Sequence, residues 1–118
     1  MKSPQPWACR SAQLPQAVAV TTAVGDTITV WVAGQLDGAT RGVIFDALHD
    51  ALDEHAVSQV VIDLTGVDFC DSAGCRALAC AYRLATASGV VCRIRNPRPH
   101  VKAVLLIAQP STALACDA

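Results

Sequence analysis

The sequence predicts a single α/β domain: a mixed sheet of four to five strands, with helices packed mainly on one face, in the order β-β-α-β-α-β-α. Three observations carry this reading. Apolar residues alternate with a period of two in Thr27–Ala33 and recur at helical spacing from Val43 to Leu52. A third run, Val60–Leu64, is apolar and β-branched on both faces and leads into an Ala/Leu-rich segment. Strands alternating with helical patterns imply helices layered on a sheet. A chain of 118 residues is one domain by length and buries a core without staples.

Residues 1–15 contain three prolines and little periodicity, and are expected to form a mobile N-terminal tail ahead of a domain over 16–118. Ala17–Thr22 is short and β-prone, and Gly25-Asp26 makes a turn into Thr27–Ala33. The two runs read as a hairpin, with Ile28, Val30 and Val32 on one face and Thr29, Trp31 and Ala33 on the other. Gly34–Thr40 is a loop in which Asp37 or Thr40 caps a helix running from Thr40 to about His55. That helix turns Val43, Ile44, Ala47, Leu48, Ala51 and Leu52 inward and leaves an acidic, solvated side from Asp46 to Glu54.

Gln59–Leu64 is the central strand, buried on both faces. The chain then turns at Thr65-Gly66, and a second helix covers about Ala73 to Ser88, stopping at Gly89. Val90–Arg95 is the next strand, parallel to Gln59–Leu64 through a right-handed crossover. Asn96-Pro97-Arg98-Pro99 turns the chain into a short helix from His100 to about Gln109, with Val101, Val104, Leu105 and Ala108 inward and Pro110 as its stop. The remaining residues hold a brief strand or fray.

Composition narrows the function. The formal net charge is −1 and no basic block is present, so nucleic acid is not an expected partner. No apolar run reaches the roughly 18 residues of a membrane span, and the N-terminus has no signal-peptide core, so a cytoplasmic protein without membrane contact is expected. The six cysteines show no zinc-ribbon spacing and no C-x-x-C pair; they read as small buried hydrophobes in a reducing compartment. The three histidines are scattered. No metal ion and no cofactor are expected.

The chemistry concentrates where the central strand meets the second helix, at Cys70-Asp71-Ser72-Ala73-Gly74-Cys75. A helix start carries free N–H groups and a partial positive charge, which favour an anion, phosphate included. A phosphate on Ser72 would add about two negative charges beside Asp71. The simpler role for Asp71 or Ser72 is a helix cap. Ser72 has Asp71 next to it but no base nearby in sequence, and the chain has no P-loop and no G-x-G-x-x-G, so an enzyme is not expected.

The stretch Asp63–Leu78 resembles the signature of STAS domains, D-L-[ST]-x-[VL]-x-[FY]-x-D-S-[ST]-G-[LI]-x-x-L. Gly34-Gln35-Leu36-Asp37 is similar to that family's G-[ED]-[LI]-D, and Asn96–Leu105 to its N-P-x-P-x-V-x-x-[VL]-L. The three motifs occur in family order, and the resemblance covers roughly Ala17 to Gln109. The chain departs from the pattern at Ala73, which replaces the second of two hydroxyl residues, and at Cys75, which replaces Leu or Ile. The resemblance implies an anti-sigma factor antagonist. Such a protein binds an anti-sigma factor that is also a serine kinase, and phosphorylation ends the complex until a serine phosphatase restores it. On this chain the phosphoacceptor is then Ser72, and Asp37, Asp71, Ser72, Ala73, Gly74 and Arg76 form the contact surface. Two alternatives stand beside it: a binder that is never phosphorylated, and a STAS module serving a small ligand or a separate anion transporter.

Overall fold

A computed structural model describes residues 17–54, 56–109 and 116–117 of the chain. The tail expected over 1–15 and the helix stop expected at Pro110 lie outside the described residues. A hairpin opens the sheet: β1 (Ala17–Val24) pairs antiparallel with β2 (Thr27–Leu36) across the Gly25-Asp26 turn. Helix α1 (Arg41–Glu54) leads to β3 (Gln59–Cys70), α2 (Ser72–Ala87) to β4 (Val91–Arg95), and α3 (Pro99–Ala108) to a two-residue β5 (Cys116–Asp117). The five strands lie in sequence order, and every pair after the first is parallel. Steps that always move the same way across a sheet, each with the usual right-handed crossover, place all their helices on one face.

Burial follows that geometry. Ile28, Val30 and Val32 of β2, Val60, Ile62 and Leu64 of β3, and Cys92 and Ile94 of β4 are buried beneath the helices. From above they meet Ile44 and Leu48 of α1, Leu78 and Ala81 of α2, and Val101 and Leu105 of α3. Helix α2 touches both other helices as well as the sheet. A helix enclosed on several sides needs small side chains to sit close, which accounts for its buried Ala77, Ala79, Ala81 and Ala85.

Among the described residues no helix lies on the opposite face of the sheet, and Val18, Val20, Trp31 and Val91 are exposed there. Even so Val61 and Asp63 of β3 are buried, as expected for a central strand, but side chains rather than helices cover that face. Trp31, Asp63 and Arg95 are in register on β2, β3 and β4. Arg95 Nε donates to Asp63 Oδ2 at 2.8 Å, and its guanidinium lies 5.2 Å from the Trp31 ring centroid, within cation–π range. The Thr65 N–H donates to Asp63 Oδ1 at 2.9 Å.

The sequence expectation of a turn at Thr65-Gly66 is not met. β3 runs on to Cys70, and the register against β2 shifts twice, between Trp31 and Ala33 and between Gly34 and Gln35. Gly66 lies so close to Ala33 that an added Cβ would come within 2.8 Å of the Ala33 Cβ. Glycine therefore marks a bulge and a close backbone approach here, not a chain reversal. The extension carries β3 to the far end of β2, where Leu36 pairs with Cys70.

The buried carboxylate of Asp63 gives the fold an acid dependence. Burial alone raises its pKa, but hydrogen bonds from Thr65 and the adjacent Arg95 outweigh burial and hold it below the ordinary value. A depressed carboxylate stabilises the fold above its unfolded pKa and loses that contribution as pH falls through the folded one. Asp63→Asn should therefore flatten the decline in stability below about pH 4. At neutral pH it should cost about 2 kcal/mol, less than a fully enclosed pair, because the Arg95 side chain remains 35% exposed. Urea unfolding of both proteins across the acid range measures each effect.

Candidate functional site

The site is built where β2 and β3 end together. The Asp71 N–H donates to the Leu36 carbonyl at 3.1 Å and continues the pairing by one residue. Asp71 then turns extended (φ −95°, ψ −173°) and caps α2, its Oδ1 accepting from the Gly74 N–H at 2.8 Å. The Cys75 N–H donates to the Asp71 carbonyl at 2.9 Å, the first bond of the helix. Of the two cap candidates, the structure selects Asp71 and leaves Ser72 as the first helical residue, exposed to solvent.

Gly74 is expected in the contact surface, and here the structure differs. It is buried, and a Cβ on it would lie 2.3 Å from the Leu36 carbonyl oxygen. Its part is to let the first turn of α2 press onto the end of β2, with Ser72 on the outer side. Ala73 is half-buried and reaches towards the β2–α1 loop, 3.8 Å from where a Cβ on Gly38 would stand. The loop after β2 and the first turn of α2 therefore lie side by side, although they are far apart in sequence.

Asp37 belongs to that loop, and its carboxylate is engaged within it. Oδ1 accepts from the Ala39 N–H at 2.9 Å and the Thr40 N–H at 3.1 Å. The buried Thr40 hydroxyl accepts from the Asp37 N–H at 3.1 Å and donates to the Gln35 carbonyl at 2.7 Å. Both residues offered by the sequence as cap of α1 take part. Asp37 and Asp71 thus each fold a short loop while remaining partly accessible.

Arg76 is exposed and follows Ser72 by four residues, the spacing that places two side chains on one helix face. It lines a groove of about 130 Å³ between α1 and α2, together with Arg41, Phe45, Ala73, Ala77 and Cys80. Arg41, Phe45 and Cys80 are additions that the sequence did not single out. Arg41 opens α1 as Ser72 opens α2, but only the tertiary pairing of the two helices brings Arg41 to the same groove as Arg76. His100 contacts the Asp68 carbonyl through Nε2 at 2.8 Å, and Arg98 Nε donates to the Thr65 carbonyl at 3.1 Å, which fixes the start of α3 to the second half of β3. Among the described residues no group of three or more His, Cys, Asp or Glu is placed to hold a metal ion.

The model of the STAS domain family matches residues 18–110. The chain belongs to this family. Several solved structures share the STAS fold. An anti-sigma factor antagonist from Mycobacterium paratuberculosis superposes with a TM-score of 0.71 at 18% identity, over 85% of this chain and 84% of that one. The anti-sigma factor antagonist SpoIIAA in its unphosphorylated form gives 0.69 at 20% identity, over 85% and 86%. Mglu gives 0.61 at 26% identity, over 68% of this chain but only 20% of its own. No curated protein matches. Within this STAS domain the motif Asp71–Gly74 is the strand-to-helix junction, and no helix among the described residues is long and apolar enough to cross a membrane.

Two substitutions test the construction of the junction. Gly74→Ala forces a methyl group into the Leu36 backbone and should cost about 1–3 kcal/mol. Asp71→Ala removes the cap and should cost about 1 kcal/mol, while Asp71→Asn, which also caps, should retain most of the stability. Denaturant midpoints at neutral pH give the ranking.

Proposed function

We propose that this STAS domain is an anti-sigma factor antagonist that binds an anti-sigma factor/serine kinase and is switched off by phosphorylation of Ser72, so regulating sigma-factor-dependent transcription in the cytoplasm. The observation that carries the reading is the position of Ser72. It is an exposed hydroxyl at the first residue of α2, next to a capping carboxylate, on the ledge formed by two adjoining loops. The similarity of the fold to antagonists, one of them described in an unphosphorylated form, supports it.

The switch follows from electrostatics. An unmodified ledge presents one small neutral hydroxyl, the half-buried Ala73 and two carboxylates whose Oδ1 atoms already accept backbone N–H groups. A partner covers these at less desolvation cost than it would a phosphorylated ledge. A phosphate on Ser72 adds about two negative charges between Asp71 and the Asp37 loop, and burying them against a partner is strongly unfavourable. Arg76 on the next turn offsets part of that charge in the free protein, which makes the phosphorylated form tolerable alone yet unfit for the interface. The contact surface in this reading comprises Asp37, Asp71, Ser72, Ala73 and Arg76, with Gly74 supporting it from beneath. A serine phosphatase restores the active form.

Catalysis by the domain itself is not part of the proposal. The groove between α1 and α2, at about 130 Å³, also falls short of the roughly 300 Å³ at which small-molecule sites begin, which weighs against the ligand-module alternative.

Phosphosite mapping by mass spectrometry of the protein isolated from its native cells, against a phosphatase-treated control, should locate a phosphate on Ser72. Ser72→Asp should abolish capture of the kinase, Ser72→Ala should retain it, and Arg76→Ala should weaken it by about 1 kcal/mol as a rim charge does. An unmodified Ser72 across growth conditions, with capture unaffected by Ser72→Asp, would overturn the reading.

A further inference from the structure

Two thiols lie directly beneath the Ser72 segment. Cys70 is the last residue of β3 and Cys75 lies in the first turn of α2, and their sulfurs are 3.5 Å apart, in contact. They bracket Asp71-Ser72-Ala73-Gly74 and nothing else. Two other cysteines are placed differently: Cys80 receives a hydrogen bond from Arg83 at 3.3 Å, and Cys92 is buried in β4. As buried hydrophobes, Cys70 and Cys75 satisfy the sequence expectation. That expectation gives no reason for two sulfurs to meet at the one junction where the proposed switch resides.

We propose that Cys70 and Cys75 are a reversible thiol–disulfide pair, closed under the Ser72 segment by an oxidant of the peroxide class. A disulfide bond is about 2.05 Å long, so closure needs roughly 1.5 Å of approach. Two sulfurs already in contact supply most of the alignment, and rotation of the Cys70 side chain at the strand end supplies the remainder. The chemistry balances in two steps. The Cys70 thiol, 4% exposed against 0% for Cys75, attacks the peroxide oxygen; its sulfur becomes a sulfenic acid and one water leaves. The Cys75 sulfur then attacks the Cys70 sulfur, forming the S–S bond, and the sulfenic oxygen departs with the Cys75 proton as a second water. Two thiols lose two electrons and two protons, and one peroxide is reduced to two waters.

The pair is slow to react at rest. Burial, then the neighbouring Cys75 and Asp71, push the Cys70 thiol up. Burial also pushes the Cys75 thiol up and Asp71 adds to this, while the bond with Cys70 pulls the other way. Thiolate is therefore scarce, and oxidation proceeds through openings of the junction under sustained oxidant. Once formed, the bond ties the end of β3 to the first turn of α2. Its effect on the switch rests on the Ser72 reading above: a kinase must draw the Ser72 hydroxyl into line with its phosphoryl donor, and a stapled segment resists.

The test uses the full chain and hydrogen peroxide. After treatment the protein is denatured, alkylated with iodoacetamide and digested with trypsin, which releases both cysteines in one peptide spanning 42–76. The expected result is that this peptide carries no alkyl group and lacks two hydrogens, and that a phosphine reductant restores two alkylation sites. Cys75→Ala should abolish the link, and Cys80→Ser should leave it intact. Full alkylation of Cys70 and Cys75 after peroxide, sulfinic acid without a link, or a link from either residue to another cysteine would each overturn the pair. With the kinase and ATP, the linked protein should accept phosphate more slowly than the reduced one. Equal rates would overturn the effect on the switch. A link that forms in a protein whose Ser72 no kinase labels would leave the pair standing and remove the switch.

Discussion

Everything at the functional end of the molecule depends on the approach of α2 to the Leu36 carbonyl. The Asp71 N–H binds that oxygen, and Gly74 leaves the space in which the helix settles against it. The Asp71 carboxylate then turns back to the Gly74 N–H and closes the first turn. These contacts involve two residues within the same motif and one on another strand. Together they set where Ser72 emerges, bring Ala73 to the loop that Asp37 and Thr40 fold, and place Arg76 on the groove beside α1. A side chain at Gly74 would push the helix outward and separate the two loops.

The opposite face of the sheet supplies the rigidity that this end requires. With no helices there among the described residues, β2, β3 and β4 are held by a row of side chains: the Arg95 guanidinium lies over Trp31 and donates to the buried Asp63 carboxylate. Asp63 also receives the Thr65 N–H, just where β3 passes from its regular half into its bulged half. The strand that ends in the Ser72 junction is thus anchored seven residues before it. His100 and Arg98 add a second anchor from α3, on the carbonyls of Asp68 and Thr65. In the proposed switch, such a frame would keep its shape when the charge on the ledge changes.

Much of this was visible in the sequence, for identifiable reasons. Period-two alternation in Thr27–Ala33 placed Ile28, Val30 and Val32 together on one face, which the structure shows to be the buried one, because a hairpin with one covered face leaves that mark. The spacing from Val43 to Leu52 fixed the inward side of α1. The apolar residues Val60, Val61, Ile62 and Leu64 indicated a strand enclosed on both sides. The ordered motifs identified the family. The extension of β3 was not visible, because a glycine that admits a close strand neighbour and a glycine that turns the chain are the same letter; Ala33, the neighbour that decides, is over thirty residues away. The close approach of Gly74 to Leu36 was hidden for the same reason.

The sequence by itself determined the element order, the inward faces of α1 and α3, the family, and Ser72 as the hydroxyl that remains beside Asp71. These follow from local periodicity, composition and motif, all of which are read along the chain. Tertiary structure alone decided that Asp37 and Asp71 serve the backbone, that Gly74 supports the surface from below, that Arg41 joins Arg76, and that Cys70 meets Cys75. Each of these depends on a separation in space between residues on different elements. The Cys70–Cys75 contact shows the difference most plainly: five positions apart in sequence, the two sulfurs meet only because the end of β3 and the first turn of α2 fold back over one another at Asp71.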